Sequence, residues 1–339
     1  MNPPPTIDFR YHPSQWWTCF GRPDDPHKSL ISERGELLCH YQRDNARLGT
    51  YRFGRVYSFA IQGGLEPLEV TQQTESGRFP LVHTTLRFPR ATLKLSTFAH
   101  QHHDQLRTDI VLWEITGHDS DFLTGLWLQV QDTQLRFGPP GNQPSQAIYA
   151  FAPGQQPRAS GFAGQLWTND PQATPPPADS LAFYADPQPL DLASSFDFGP
   201  ASGLATPPDL VNATSSLKGA LFFPQNHHRS DFFSYTWAAQ ALEAERTFWN
   251  TFPLFTHPWS IPDPQLAQLL DAAARNIFQA REIHQGIPEF QVGPTIYRGL
   301  WIIDGYFFLE AAQYMGHEKA ALDGLEAILR RVQPSGAIE

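Results

Sequence analysis

Hydrophobic residues fall in two rhythms along this chain. Through the first two-thirds they form short alternating or β-branched runs between turn-formers, at 52–61, 81–88, 92–98, 107–115 and 125–130, with later runs at 180–184, 218–223 and 231–237. Runs of this length at such intervals predict antiparallel strands stacked as a large β-sandwich. Pro-rich stretches at 138–144, 153–157 and 171–189 read as loops between strands, because strand-like runs resume after each.

From residue 238 the rhythm becomes helical. The stretch 238–250 reads as a linking helix, leading through Pro253 and Pro258 to a helix that opens at Pro262 and Asp263. Leu266, Leu269, Leu270, Ala273, Ala274, Ile277 and Phe278 lie on one stripe of that helix. The segment 301–315 is apolar almost all the way round, which predicts a helix buried on most sides. Gly316 ends it, and Ala320, Ala321, Leu322, Leu325, Ile328, Leu329 and Val332 mark a third, amphipathic helix that stops before Pro334. The predicted division is a β domain over 1–237, a linker helix and loop over 238–261, and a helical domain over 262–339.

Candidate chemistry sits where the apolar helix begins. Arg298, Trp301 and Asp304 fall three residues apart, a spacing that gathers guanidinium, indole and carboxylate on one side of a helix mouth. Such a trio suits a polyhydroxylated ligand: the indole face covers a sugar ring, and the charged groups hydrogen-bond its hydroxyls. The plainer reading is an Arg–Asp pair capping a core helix, with Trp301 as packing.

This region resembles the opening of the catalytic domain of the six-hairpin glycosidases, the (α/α)6-toroid enzymes that include glucoamylases and related bacterial glycoside hydrolases and phosphorylases. Their Tyr-x-x-x-Trp-x-x-Asp signature at the start of an inner helix matches Tyr297, Trp301 and Asp304, with Arg298 placed before the Trp. The match covers about the last eighty residues. The stretches 16–25, 28–31 and 35–41 are similar to an N-terminal pattern of bacterial relatives of these enzymes, several of which carry a sandwich ahead of the toroid. The resemblance implies a β-then-α protein: a large antiparallel β-sandwich followed by the first helices of an incomplete (α/α)6 toroid. It implies a carbohydrate ligand bound by Tyr297, Arg298, Trp301 and Asp304, and glycoside hydrolysis in a full-length parent.

A toroid of that kind has twelve helices and this chain supplies about three, so the expectation is a fragment lacking the catalytic acid and base. Glu289 and Glu339 are the nearest local acids, with solvated loop charge as their plain reading. Glu310, set among Phe307, Phe308, Leu309 and Ala311, must find a partner, and anchoring a neighbouring helix is the expected role. A glycoside phosphorylase and a non-catalytic carbohydrate-binding module are the alternative functions.

Composition narrows the classes further. Of 339 residues, 41% are hydrophobic and 13% aromatic, ample for a core and a sugar-binding surface. A net charge of −10 argues against nucleic acid, which needs a basic face. No apolar run reaches the ~20 residues that span a bilayer. The N-terminus lacks the basic and apolar regions of a secretory signal, so a cytoplasmic location is expected. Two cysteines, Cys19 and Cys39, read as free buried thiols. His100, His102, His103 and Asp104 resemble the histidine run of metallo-β-lactamase-like hydrolases, but Gln105 stands at the place of its last histidine and no βαβ pattern follows. His227 and His228 beside Asp231 make a weaker pair. A polar strand end is the preferred reading, and neither metal nor cofactor is assigned.

Overall fold

The computed structural model describes residues 17–39, 55–61, 66–102, 106–118, 126–132, 146–151, 165–168, 184–187, 216–225, 232–284, 286–293 and 300–338. The first strands in chain order are β1 (Trp17–Phe20), β2 (Ser29–Ser32), β3 (Leu37–Cys39), β4 (Arg55–Ile61), β5 (Glu69–Thr74), β6 (Val82–Arg87) and β7 (Ala91–Gln101). They continue with β8 (Arg107–Gly117), β9 (Leu126–Asp132), β10 (Gln146–Phe151), β11 (Gln165–Thr168), β12 (Tyr184–Pro187) and β13 (Ser216–Pro224). Then come α1 (Tyr235–Thr251), α2 (Pro264–Ala280), the hairpin β14 (Glu282–His284) and β15 (Ile287–Glu289), α3 (Ile302–Tyr314) and α4 (Glu318–Leu329). The order is β first and α afterwards, as the two rhythms of the sequence require.

Two antiparallel sheets hold the strands, in the orders β1-β2-β3-β4-β9-β10-β11 and β12-β13-β8-β7-β6-β5. One apolar cluster draws on both: Phe20, Leu37, Tyr57 and Phe59 from the first, Leu93, Leu95, Trp113 and Phe223 from the second. Register explains the sharing, because Leu93 pairs with Ile115 and Leu95 with Trp113, and alternate residues face the same way. The intervening positions form a second cluster. Phe98, Ile110 and Phe222 meet Ala238, Ala241 and Trp249 of α1, and Ala274 and Phe278 of α2. The second sheet is thus covered on both faces, which is why β8 is buried continuously from Arg107 to Val111 instead of alternating there.

Cations from the sheet unit close the helix ends. Neither α1 nor α2 carries a basic residue in its last turn. Arg78, between β5 and β6, donates to Trp249 O at 3.3 Å and Phe252 O at 2.6 Å. Lys28 donates to Gln279 O at 2.7 Å and Arg281 O at 3.0 Å, and also to Asp25 O at 2.6 Å. Each therefore neutralises the negative end of a helix and satisfies its last carbonyls. At the adjoining turn the Gly77 N–H donates to the Gln268 side chain, and a Cβ there would lie 2.0 Å from Gln268 O, so only glycine permits the approach.

Several expectations change. The aromatic run 231–237 is not a strand over its described part: Ser234 accepts from Trp237 N at 3.1 Å and starts α1 at Tyr235. An N-cap side chain there outweighs the β-favouring composition. The stretch 171–189 contains β12, whose Pro187 is tolerated because β12 is an edge strand. The linking helix runs from Tyr235 to Thr251, and the next helix begins at Pro264 with Asp263 as its N-cap. Its apolar stripe is buried only in the second half, at Ala274 and Phe278, while Leu266, Leu269 and Leu270 are exposed.

The helix expected to be submerged is covered on one side. Within α3, Gly305 and Ala312 are buried, Leu309 lies against Gly324 of α4, and Phe308 packs with Phe290 and Ala321. Ile303 is 77% exposed and Tyr314 81% exposed, with Tyr306 and Phe307 exposed between them. An apolar surface all round tells what a helix is able to bury; which neighbours arrive is a separate matter. Among the described residues, no helix is long and apolar enough to cross a membrane.

Candidate functional site

The start of α3 carries the residues singled out from sequence. Trp301 is the N-cap, with extended backbone and no side-chain cap bond, and its carbonyl accepts Gly305 N at 2.6 Å. Asp304 lies in the first turn, where its charge complements the positive helix end. The indole is 48% exposed. Asp304 is exposed too, and among the described residues it has no hydrogen bond or ion pair. Tyr297 and Arg298 lie outside the described residues.

The local acids divide by environment. Glu289 is buried and paired with Arg331 at 2.7 Å, facing Glu282 across the hairpin. Glu282 has Lys28 Nζ at 3.8 Å and His284 Nε2 at 3.2 Å. Cations on either side hold both carboxylates in structural use. Glu310 accepts from Tyr314 of its own helix at 3.3 Å rather than anchoring another helix. Glu339 lies outside the described residues.

The deepest charged groups are ones that sequence reasoning missed. Arg107 bridges Asp25, Nε to Oδ2 at 2.5 Å, and Asp109 on its own strand, and the Ser29 hydroxyl donates to Asp109. A signal was available: Arg107 and Asp109 share a strand face in a run otherwise apolar, so they require burial as a neutralised group. Burial works to raise the Asp25 pKa, but the Arg107 guanidinium and hydrogen bonds from His27 outweigh it and hold the carboxyl well below the usual range. Burial likewise works to lower Arg107, and Asp109 and Asp25 more than offset it. Arg275, buried with weaker compensation, is pulled down to about 10. Cys19 is a free, half-buried thiol whose pKa burial raises; the Cys39 side chain lies outside the description.

No protein-family model and no curated protein matches this chain.

A second polar group joins sheet to helix. Glu245 of α1, fully buried, accepts from Arg22 Nε and Nη2 at 3.1 and 2.9 Å, from Gln101 N at 3.2 Å and from His100 Nδ1 at 2.8 Å. The His100 ring stands edge-on to Trp237, and the His102 ring stacks on Phe232. His103, Asp104, His227, His228 and Asp231 lie outside the described residues. Among the described residues, no three His, Cys, Asp or Glu side chains are grouped to hold a metal.

These shifts set the response to acid. Asp25 has a depressed folded pKa, so its contribution is whole above its unfolded pKa of about 3.9 and is lost as pH falls towards the folded value. Glu75, lowered first by its hydrogen bond from Arg246, acts in the same sense. His83, lowered by burial, is favoured neutral in the fold and costs stability as pH falls below about 6.5. Glu36, raised by burial, opposes them, its contribution being present in acid and lost as pH rises through its folded pKa. Thermal unfolding between pH 7 and pH 3 is expected to show a stability loss that steepens below about pH 4. Asp25→Asn is expected to flatten that steep limb, and an unaltered limb would exclude Asp25 as its source.

Proposed function

We propose that this chain is a carbohydrate-active protein built as a β-sandwich followed by the first helices of an (α/α)6 glycosidase toroid. In a full-length parent it acts on an oligosaccharide or glycoside. The observation that carries the reading is the start of α3, where an exposed indole and an exposed carboxylate, unpaired among the described residues, stand three residues apart. Trp301 stacks on a sugar ring and Asp304 accepts hydrogen bonds from its hydroxyls, and the resemblance assigns Tyr297 and Arg298 to the same ligand. The two sheets sharing one apolar cluster support the sandwich, and the apolar composition of α3 supports a helix able to bury more surface than it does here. Hydrolysis is the favoured reaction of the parent, with phosphorolysis as its variant.

For the chain itself, Glu289 is buried and bonded to Arg331, which favours binding without catalysis, because a proton donor must reach the substrate within hydrogen-bond distance. Titration with defined oligosaccharides, followed by tryptophan fluorescence, is expected to give saturable binding. Asp304→Ala should weaken it about tenfold, the value of one charge-assisted hydrogen bond, and Trp301→Ala should remove most of the fluorescence response. Affinity unchanged in both variants would take the site away from α3.

A further inference from the structure

The end of β7 offers a second kind of chemistry. His100 and His102 are two residues apart on extended chain, and His102 N still donates to Leu106 O at 2.9 Å, so both rings project from the face that α1 covers. Their centroids lie 6.3 Å apart with the ring planes at 75°. Two imidazoles on one cation, at Zn–N distances of about 2.0–2.1 Å, have centroids roughly 5–6 Å apart. The observed separation lies just above that range.

The tautomer of His100 follows from its partner. A carboxylate oxygen accepts, so the Nδ1 bonded to Glu245 is the ring nitrogen that carries the proton, and Nε2 is the one left to act as a ligand. Glu245 is itself immobilised by Arg22 and the Gln101 amide. Nε2 of His100 makes no hydrogen bond among the described residues, and the side chain retains 10% exposure. A carboxylate that orients a histidine and leaves its other nitrogen outward is the arrangement that supports metal-ligating histidines.

We propose that His100 and His102 form a two-imidazole site for a borderline divalent transition cation, with Glu245 as its positioning residue. Water completes the coordination. Neutral nitrogen ligands favour zinc, nickel and copper over magnesium and calcium. Trp237 and Phe232 wall one side and limit access by water.

The test uses the full chain, stripped with a chelator and titrated with zinc chloride against a chromophoric indicator. One equivalent per chain is expected. His100→Gln and His102→Gln should each lose it by at least tenfold, with His284→Gln, on the exposed hairpin, as the unchanged control. Glu245→Gln should weaken binding by about 10–100-fold, the usual cost of losing such an orienting partner. Should that variant misfold by circular dichroism, copper EPR on the wild type provides the second readout: two nitrogen couplings, reduced to one in His102→Gln. Wild-type affinity weaker than about 100 μM, or unaltered stoichiometry in His102→Gln, would overturn the site. A folded Glu245→Gln binding as wild type would overturn the role of Glu245.

Discussion

Replacing Arg107 by Met is expected to destabilise the protein by about 3–5 kcal/mol, the cost of removing one partner from a buried ion group. The side chain is 2% exposed, and its guanidinium is shared between Asp25 and Asp109. Methionine fills much of the volume but leaves two buried carboxylates without the guanidinium they share; the Ser29 hydroxyl still donates to Asp109 and His27 to Asp25. The residual charges then repel, and with the guanidinium gone burial raises the Asp25 pKa. The deficit should therefore shrink as pH falls, because the folded variant binds protons more tightly than its unfolded chain does. Urea unfolding at pH 7 and pH 4 measures both effects. Arg107→Met/Asp109→Asn should recover part of the loss, and Arg87→Ala, at an exposed pair on β6, should cost under about 1 kcal/mol. A loss for Arg107→Met no larger than that of Arg87→Ala would show that the cluster does not hold the fold.

The second large effect is expected at Lys28. Its buried ammonium donates to three backbone carbonyls, two of them at the end of α2, and lies 3.8 Å from Glu282. Lys28→Met strands those acceptors and removes the buried ammonium beside Glu282, at a cost on the order of 3 kcal/mol. The damage should be local as well as global. Amide exchange should accelerate in the last turn of α2 and in β14, ahead of the strands that form the two-sheet core. Uniform exchange across the chain, or protection in α2 equal to wild type, would count against Lys28 as its cap. Arg78 ties the end of α1 to the sheets as Lys28 ties the end of α2.

Legibility differed from element to element for physical reasons. Strands β4, β6, β7, β8, β9 and β13 coincide closely with alternating or β-branched runs, and α2, expected from Pro262, begins at Pro264 with Asp263 as its N-cap. The polar strand β5 escaped because it is an edge strand whose side chains have no apolar face to repeat. Helix α1 was foreseen from 238, and its first turn was hidden by aromatic residues that suit strands as well. At the candidate site, the spacing of Trp301 and Asp304 was visible in sequence. Their exposure was not, because accessibility depends on what packs around α3. Glu310 illustrates the same limit: its need for a partner was readable, but the partner turned out to be Tyr314 one turn away.

By itself the sequence determined the period of β4, β6 to β9, β13 and the helices, the glycine that ends α3, and the need of Glu310 for a partner. These are local properties, encoded over a few residues by side-chain direction and backbone preference. Only the tertiary structure decided that Arg107 meets Asp25, 82 residues away, that Lys28 closes a helix 251 residues away, and that His100 is held by Glu245, 145 residues away. It also decided that one face of α3 is open. Such pairings depend on which surfaces are brought together when the sheets and helices stack, and no periodicity within a segment records its distant neighbour.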